Sequence, residues 1–287
     1  MGCDRRITLQ GRRTITLPRH ILRTTLAVVT ATAVALGSAL LAPPSQATTT
    51  PTMVVIGDSI TWRGDNIPGS TNRGWWSYLG RELELRIIRH AERGSGFGKR
   101  GKAADGTSVC GGSTFYGRLA RPEVAADVKT ARLVIVAGGV NDMYRCVYRN
   151  GAWSQVPTTE GQLKRDVHRT MLRLAELRPT RRSSVYITAP YGPYAAGAAA
   201  KTWIVPLIKA EALAAGFRYV DTSRGTLDGD RTDDGVHPNY AGNLRLFHDL
   251  YVYGVMARWG AGVTDYSRGD VASPPAPTGQ PYDPDSR

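Results

Sequence analysis

The chain has 287 residues, 41% of them hydrophobic, and its 37 basic and 24 acidic residues give a net charge of +13. Beyond residue 47 the Arg and Lys residues are spread along the chain, with no basic helix and no aromatic–basic motif; this argues against a nucleic-acid module and favours a soluble, Arg-rich protein, with anionic surroundings such as cell-wall polymers or acidic polysaccharide as the alternative. Neither Cys110 nor Cys146 has a neighbouring ligand at metal spacing, which argues against a zinc site.

Taken in chain order, the first segment reads as an export signal. Residues 1–23 carry six arginines (Arg5, Arg6, Arg12, Arg13, Arg19 and Arg23) and one acid, Asp4. An apolar run from Thr24 to Ala42 follows, then Pro43, Pro44, Ser45, Gln46 and Ala47. A basic segment, an apolar segment and small residues spaced as Ser45-x-Ala47 make a secretory signal peptide. The alternative is a membrane anchor, because the run approaches spanning length. The run is rich in Ala and Thr, and the cleavage-like site follows at once, so the signal peptide is preferred. Arg12-Arg13-Thr14-Ile15 loosely resembles a twin-arginine signal, which leaves the export route open. Cys3 precedes the apolar run, the wrong side for a lipoprotein cysteine. The mature chain is therefore expected to be extracellular and to begin near Thr48, touching a membrane only through the transient signal. It keeps 31 basic and 23 acidic residues, a net of +8.

The mature part is long enough for one large core. Five short strands are expected: Met53–Gly57, Leu85–His90, Leu133–Ala137, Val185–Ala189 and Arg218–Asp221. Three of them are almost continuously apolar, as strands covered on both faces should be. Helical patterns fall between them at Gly74–Leu83, Pro122–Lys129, Thr159–Leu177 and Thr202–Ala215, and a last helix is expected over Tyr240–Trp259. This alternation implies a three-layer α/β domain with a parallel sheet and right-handed crossovers. The stretches from Gly94 to Gly117 and from Met143 to Thr158 read as long loops, which in compact domains tend to be functional. The domain is expected over residues 48–263, followed by a Pro/Gly-rich disordered tail over 264–287. In an oxidising compartment Cys110 and Cys146 are expected to pair, which would stabilise the fold by roughly 3–4 kcal/mol in the chain-entropy account. Two buried free thiols are the alternative.

Ligands of an open α/β sheet bind beyond the carboxyl ends of its strands. The ends here deliver Gly57-Asp58-Ser59-Ile60, Gly94-Ser95-Gly96-Phe97, Gly139-Val140-Asn141-Asp142, and Asp233-Asp234-Gly235-Val236-His237-Pro238-Asn239. These pieces suit acyl transfer. A serine hydroxyl needs a base to take its proton, and His237 can do so. The imidazole needs a carboxylate to fix its tautomer, and Asp234 lies three residues before it; Asp233 is the alternative. The developing oxyanion needs donors, which the amides of Ser59 and Gly96 and the side chain of Asn141 could supply. A glycine at 96 would let backbone approach a ligand closely. Asp58 and Asp142 are expected to organise loops rather than react. His168 and His248 are expected to be surface or packing residues, and Trp75, Trp76, Tyr144 and Tyr191 default to core packing.

These blocks, in order over about Met53 to Trp259, resemble the GDSL or SGNH hydrolases, whose blocks are named for Ser, Gly, Asn and His. Ser59 stands in the first block, Gly96 in the second, Asn141 in the third and His237 in the fourth. The second block is the poorest match, since Gly94 and Gly98 compete with Gly96. Ile60 replaces the commoner leucine. The rival elbow G-x-S-x-G is absent because Thr61 takes its last glycine position. The resemblance implies a flavodoxin-like five-stranded parallel sheet with helices on both faces, a Ser-His-Asp triad, a three-donor oxyanion hole, and no metal or organic cofactor. The expected activity is hydrolysis of carboxylic esters through an acyl-enzyme, with small or carbohydrate-linked acyl esters preferred and a monomeric enzyme. Lipid esters, acyl transfer to a sugar or alcohol, and a non-catalytic glycan-binding protein are the alternatives.

Overall fold

A strand covered on both faces needs an apolar side chain at every position, and Val54, Val55 and Ile56 meet that need, as do Val134, Ile135 and Val136. In the computed structural model these runs lie in a five-stranded, all-parallel sheet. The structure describes residues 50–63, 74–191, 197–222, 232 and 234–255. They belong to the second of two compact units, Thr49–Arg287. The expected export segment 1–47 and tail 264–287 lie outside the described residues.

The elements run β1 (Thr52–Gly57), α1 (Ser59–Arg63), α2 (Trp75–Glu82), β2 (Arg86–Ala91), α3 (Phe115–Leu119), α4 (Pro122–Thr130), β3 (Leu133–Ala137), β4 (Tyr144–Arg149), β5 (Ala152–Pro157), α5 (Glu160–Leu177), β6 (Val185–Thr188), α6 (Gly197–Ala214), β7 (Arg218–Val220) and α7 (Tyr240–His248). The sheet order β2-β1-β3-β6-β7 is the flavodoxin-like one, with its switch point between β1 and β3. In that register Gly57 pairs with Ala137 and Ala91, so the carboxyl ends of three strands finish level beside the crevice.

Side chains on successive strand residues point to opposite faces, and the core divides accordingly. Val54, Ile56, Val134, Val136, Val185 and Ile187 pack with α3, α4, α5 and α6. Met53, Val55, Leu133, Ile135 and Tyr186 pack with α2 and α7. This is the expected three-layer arrangement. Helix starts follow local chemistry. Thr159 and Gln162 form a reciprocal capping box at α5, and Pro122 occupies the first turn of α4, where its missing N–H costs nothing.

Three expectations need correction. The stretch from Met143 to Thr158 is not a loop but an antiparallel hairpin, β4 with β5. Its turn is Asn150-Gly151, both at positive φ (50° and 78°), as a two-residue hairpin turn demands. Within the Gly94–Gly117 stretch Phe115 already starts α3, capped by Thr114. The last helix is α-helical only to His248 and then widens to a π-helix over Asp249–Val255; residues 256–259 lie outside the described residues.

Candidate active site

The turn that presents Ser59 is fixed by its neighbours. Gly57 ends β1, and a Cβ there would lie 2.2 Å from Thr61 Oγ1, so this tight strand-to-helix passage admits only glycine. Ser59 follows as the first residue of α1 and is partly exposed. Asp58 is buried, and its Oδ1 accepts the Ile60 N–H at 3.0 Å. Burial pushes the Asp58 carboxyl up to about 7, against the opposing pull of the Ile60 N–H and the Arg118 guanidinium. Its geometry is that of a turn organiser.

Beyond β2, the Gly94–Lys99 loop wraps around one carboxylate. Asp142 is fully buried and accepts the N–H groups of Phe97 (2.9 Å), Gly98 (2.8 Å) and Lys99 (3.0 Å). Burial pushes its carboxyl up to about 6, even though those three amides favour the charged form. Gly96 is needed for a reason the sequence did not show: a Cβ there would meet both Asp142 carboxylate oxygens at 2.5 Å. The glycine makes room for a buried carboxylate. The amide of Gly96 donates to the Lys99 carbonyl at 2.9 Å, and that of Gly98 is taken by Asp142, so a donor role at Gly96 requires its bond to open or to be shared. Asn141 sits in a 3-10 turn (Val140–Met143) just past β3, and its Nδ2 donates to the Ser95 carbonyl at 3.0 Å. A side-chain amide carries two hydrogens, so a second remains for an oxyanion.

Asp234 and His237 are brought together. Asp234 Oδ2 lies 2.8 Å from His237 Nδ1, while its Oδ1 accepts the N–H groups of His237 (2.7 Å) and Val236 (3.0 Å). Although partial burial opposes it, these amides and the imidazole hold the Asp234 carboxyl well below the usual carboxylate range. Asp233, the alternative partner, lies outside the described residues. Asn239 caps α7 by accepting the Gly242 N–H at 3.0 Å. Asn243, fully buried, then ties this turn to the start of α2 in the same layer: its Nδ2 donates to the carbonyls of Pro238 (3.1 Å) and Asn239 (3.0 Å), and its Oδ1 accepts the Trp75 N–H at 2.9 Å.

Two contributors carry no sequence signal. Arg63, one helical turn beyond Ser59, donates to Asp234 Oδ2 at 3.0 Å, so α1 and the Asp/His turn touch. Arg118, on α3, donates to the carbonyls of Gly57 and His90. His168 pairs with Glu211 at 2.9 Å and His248 lies 3.6 Å from Asp249, as surface or packing residues would. Trp75, Trp76 and Tyr191 are buried core residues, whereas Tyr144 is exposed on β4. Among the described residues no group of three or more His, Cys, Asp or Glu could hold a metal ion.

Cys110 and Cys146 are bonded, with Cα atoms 5.9 Å apart. The bond links the segment after the Gly96 loop to β4, five residues past Asn141. Reduction is therefore expected to lower ester turnover under conditions where the helical circular-dichroism signal is still intact. Unchanged turnover, with two thiols titrated, would contradict this.

A family model described as the GDSL-like Lipase/Acylhydrolase family matches residues 55–245, more than half of the chain. No curated protein matches it. Among solved structures, a family two carbohydrate esterase from Clostridium thermocellum, in complex with cellohexaose, is 14% identical with a TM-score of 0.50, over 71% of this chain and 63% of that one. An active-site mutant of such an esterase from the same organism is 14% identical with a TM-score of 0.52, over 71% and 62%. This chain thus spans less than two thirds of the length of those esterases. An acetylxylan esterase from Geobacillus stearothermophilus is 18% identical with a TM-score of 0.47, over 70% and 93%.

Proposed function

The chain belongs to the GDSL-like lipase/acylhydrolase family and is a carboxylic ester hydrolase, and from that premise we propose that Ser59, His237 and Asp234 carry the reaction in an exported enzyme acting on small or carbohydrate-linked acyl esters. The observation that carries this reading is the Asp234–His237 pair, with one carboxylate oxygen on Nδ1 and the other held by two backbone amides. That arrangement fixes the imidazole with Nε2 free to work as the base. His237 takes the Ser59 proton as Oγ attacks the ester carbonyl. The oxyanion is met by the Ser59 amide, the second Asn141 hydrogen and, once released from Lys99, the Gly96 amide. His237 then returns the proton to the leaving alcohol, and a water activated by the same imidazole frees the acid.

Two features support a glycan-linked substrate over a long acyl chain. Tyr148 and Trp153 form an exposed ring pair, centroids 5.2 Å apart, on the hairpin rooted beside Asn141. The neighbouring Arg100 lies 4.7 Å from the Trp153 ring centre, and exposed aromatics with a polar rim suit recognition of a polar partner better than of an acyl tail. Export is supported by the basic–apolar–small pattern of residues 1–47 and by the disulfide. One experiment tests both parts. Protein recovered from the medium of an expressing bacterium is read from its N-terminus and assayed on p-nitrophenyl esters of increasing acyl length, acetylated xylan and lysophospholipid. A start near Thr48 and a preference for acetyl esters and acetylated xylan are expected; retention in the cells, or a preference for lysophospholipid, would contradict the respective part.

A further inference from the structure

The guanidinium of Arg118, at the end of the short helix α3, is as buried as any apolar core side chain, at 1% exposure. A buried cation is costly unless its donors are met. Here the active-site framework meets the two terminal nitrogens, while Nε has no hydrogen-bond partner among the described residues and lies 4.0 Å from Glu92 Oε1. One terminal nitrogen donates to the Gly57 carbonyl (2.6 Å) and to the His90 carbonyl (2.7 Å), the other to Ser95 Oγ. Ser95 Oγ donates onward to the Glu92 carbonyl at 2.8 Å, and the Ser95 carbonyl accepts Asn141 Nδ2. The Phe115 ring lies 5.0 Å from the guanidinium carbon, and Glu92 is the nearest counter-charge, at 4.0 Å. Glu92 is itself anchored by Ser113 (2.6 and 2.8 Å) and Arg121 (3.0 Å).

We propose that Arg118 is a positioning residue for the ester-hydrolase reaction: its planar fork holds the end of β1 two residues before Ser59, the end of β2, and through Ser95 the Asn141 side chain in one rigid arrangement. A continuous path Gly57–Arg118–Ser95–Asn141 thus joins the nucleophile turn to an oxyanion donor. A lysine cannot reproduce it, because a single ammonium on a flexible stem offers its donors from one point, whereas the three acceptors are shared between the two terminal nitrogens of a rigid fork. A residue that only neutralised Glu92 would have no such requirement.

The test compares Arg118→Met, Arg118→Lys and Ser95→Ala. Both Arg118 variants are expected to lose kcat by about 100-fold, the scale of a small misplacement of reacting groups, while KM stays within about 3-fold. Arg118→Lys is expected to recover the melting temperature without recovering kcat. Recovery of both by lysine would show a merely structural charge and overturn the proposal. Should the Arg118 variants fail to fold, Ser95→Ala decides: a fall in kcat of about 10-fold at constant KM supports the proposal, and wild-type kcat overturns it. Because the inference rests on the function proposed above, Ser59→Ala runs in the same assay. Turnover independent of Ser59 overturns that reading, whereas Ser59-dependent turnover that Arg118→Met and Ser95→Ala leave intact overturns this one.

Discussion

Ser59→Ala is expected to lower kcat on a p-nitrophenyl ester on the order of 10⁶-fold, the scale seen when a triad nucleophile is removed. Without Oγ there is no acyl-enzyme, and only direct attack by water remains, assisted by whatever oxyanion donors survive. The substitution deletes one oxygen from a partly exposed side chain at the start of α1. The melting temperature is therefore expected to stay near wild type, and a loss smaller than 10-fold would remove Ser59 from the chemistry.

Asp234→Asn is expected to lower kcat by about 10⁴-fold with little change in KM. An amide can still accept the N–H groups of Val236 and His237 through its oxygen, so the turn should persist. Its NH2 then faces His237 Nδ1, where the carboxylate had been, and selects the wrong tautomer. The imidazolium also loses its counter-charge. The stability effect has a definite sign. A carboxyl whose folded pKa is depressed contributes stability that is present above its unfolded pKa and lost as pH falls, and in the Asn variant that loss should vanish. With Asp234 side chain 40% exposed and screened by solvent, the catalytic effect is the larger one. Wild-type kcat in Asp234→Asn would transfer the role to another carboxylate, Asp233 first.

The sheet was readable because apolar runs such as Leu133–Ala137 leave few alternatives when flanked by helical periodicity. The elements that escaped were those whose signal is local and short. Asn150-Gly151, between Tyr144–Arg149 and Ala152–Pro157, is a strong hairpin turn signal, but the flanking strands are polar and exposed and lack the apolar alternation that marks a buried strand. The five-residue helices α1 and α3 are too short to show periodicity. In the site, Asp234 and His237 were legible because a three-residue turn places them together. The requirement for glycine at 96 was legible as a requirement but not in its cause, since Asp142 lies 46 residues further on. Arg63 and Arg118 were silent for the same reason: their partners are brought to them by the fold, and nothing in an isolated arginine announces a buried acceptor.

If Ser59 is the nucleophile of an acyl-enzyme, it can be trapped covalently. The protein is inactivated with a fluorophosphonate, digested and mapped by mass spectrometry. One phosphonyl group is expected per chain, on the peptide holding Gly57-Asp58-Ser59-Ile60, with ester hydrolysis lost in proportion and no adduct in Ser59→Ala. Modification at another serine, or an active enzyme with Ser59 unmodified after exhaustive treatment, would contradict the account.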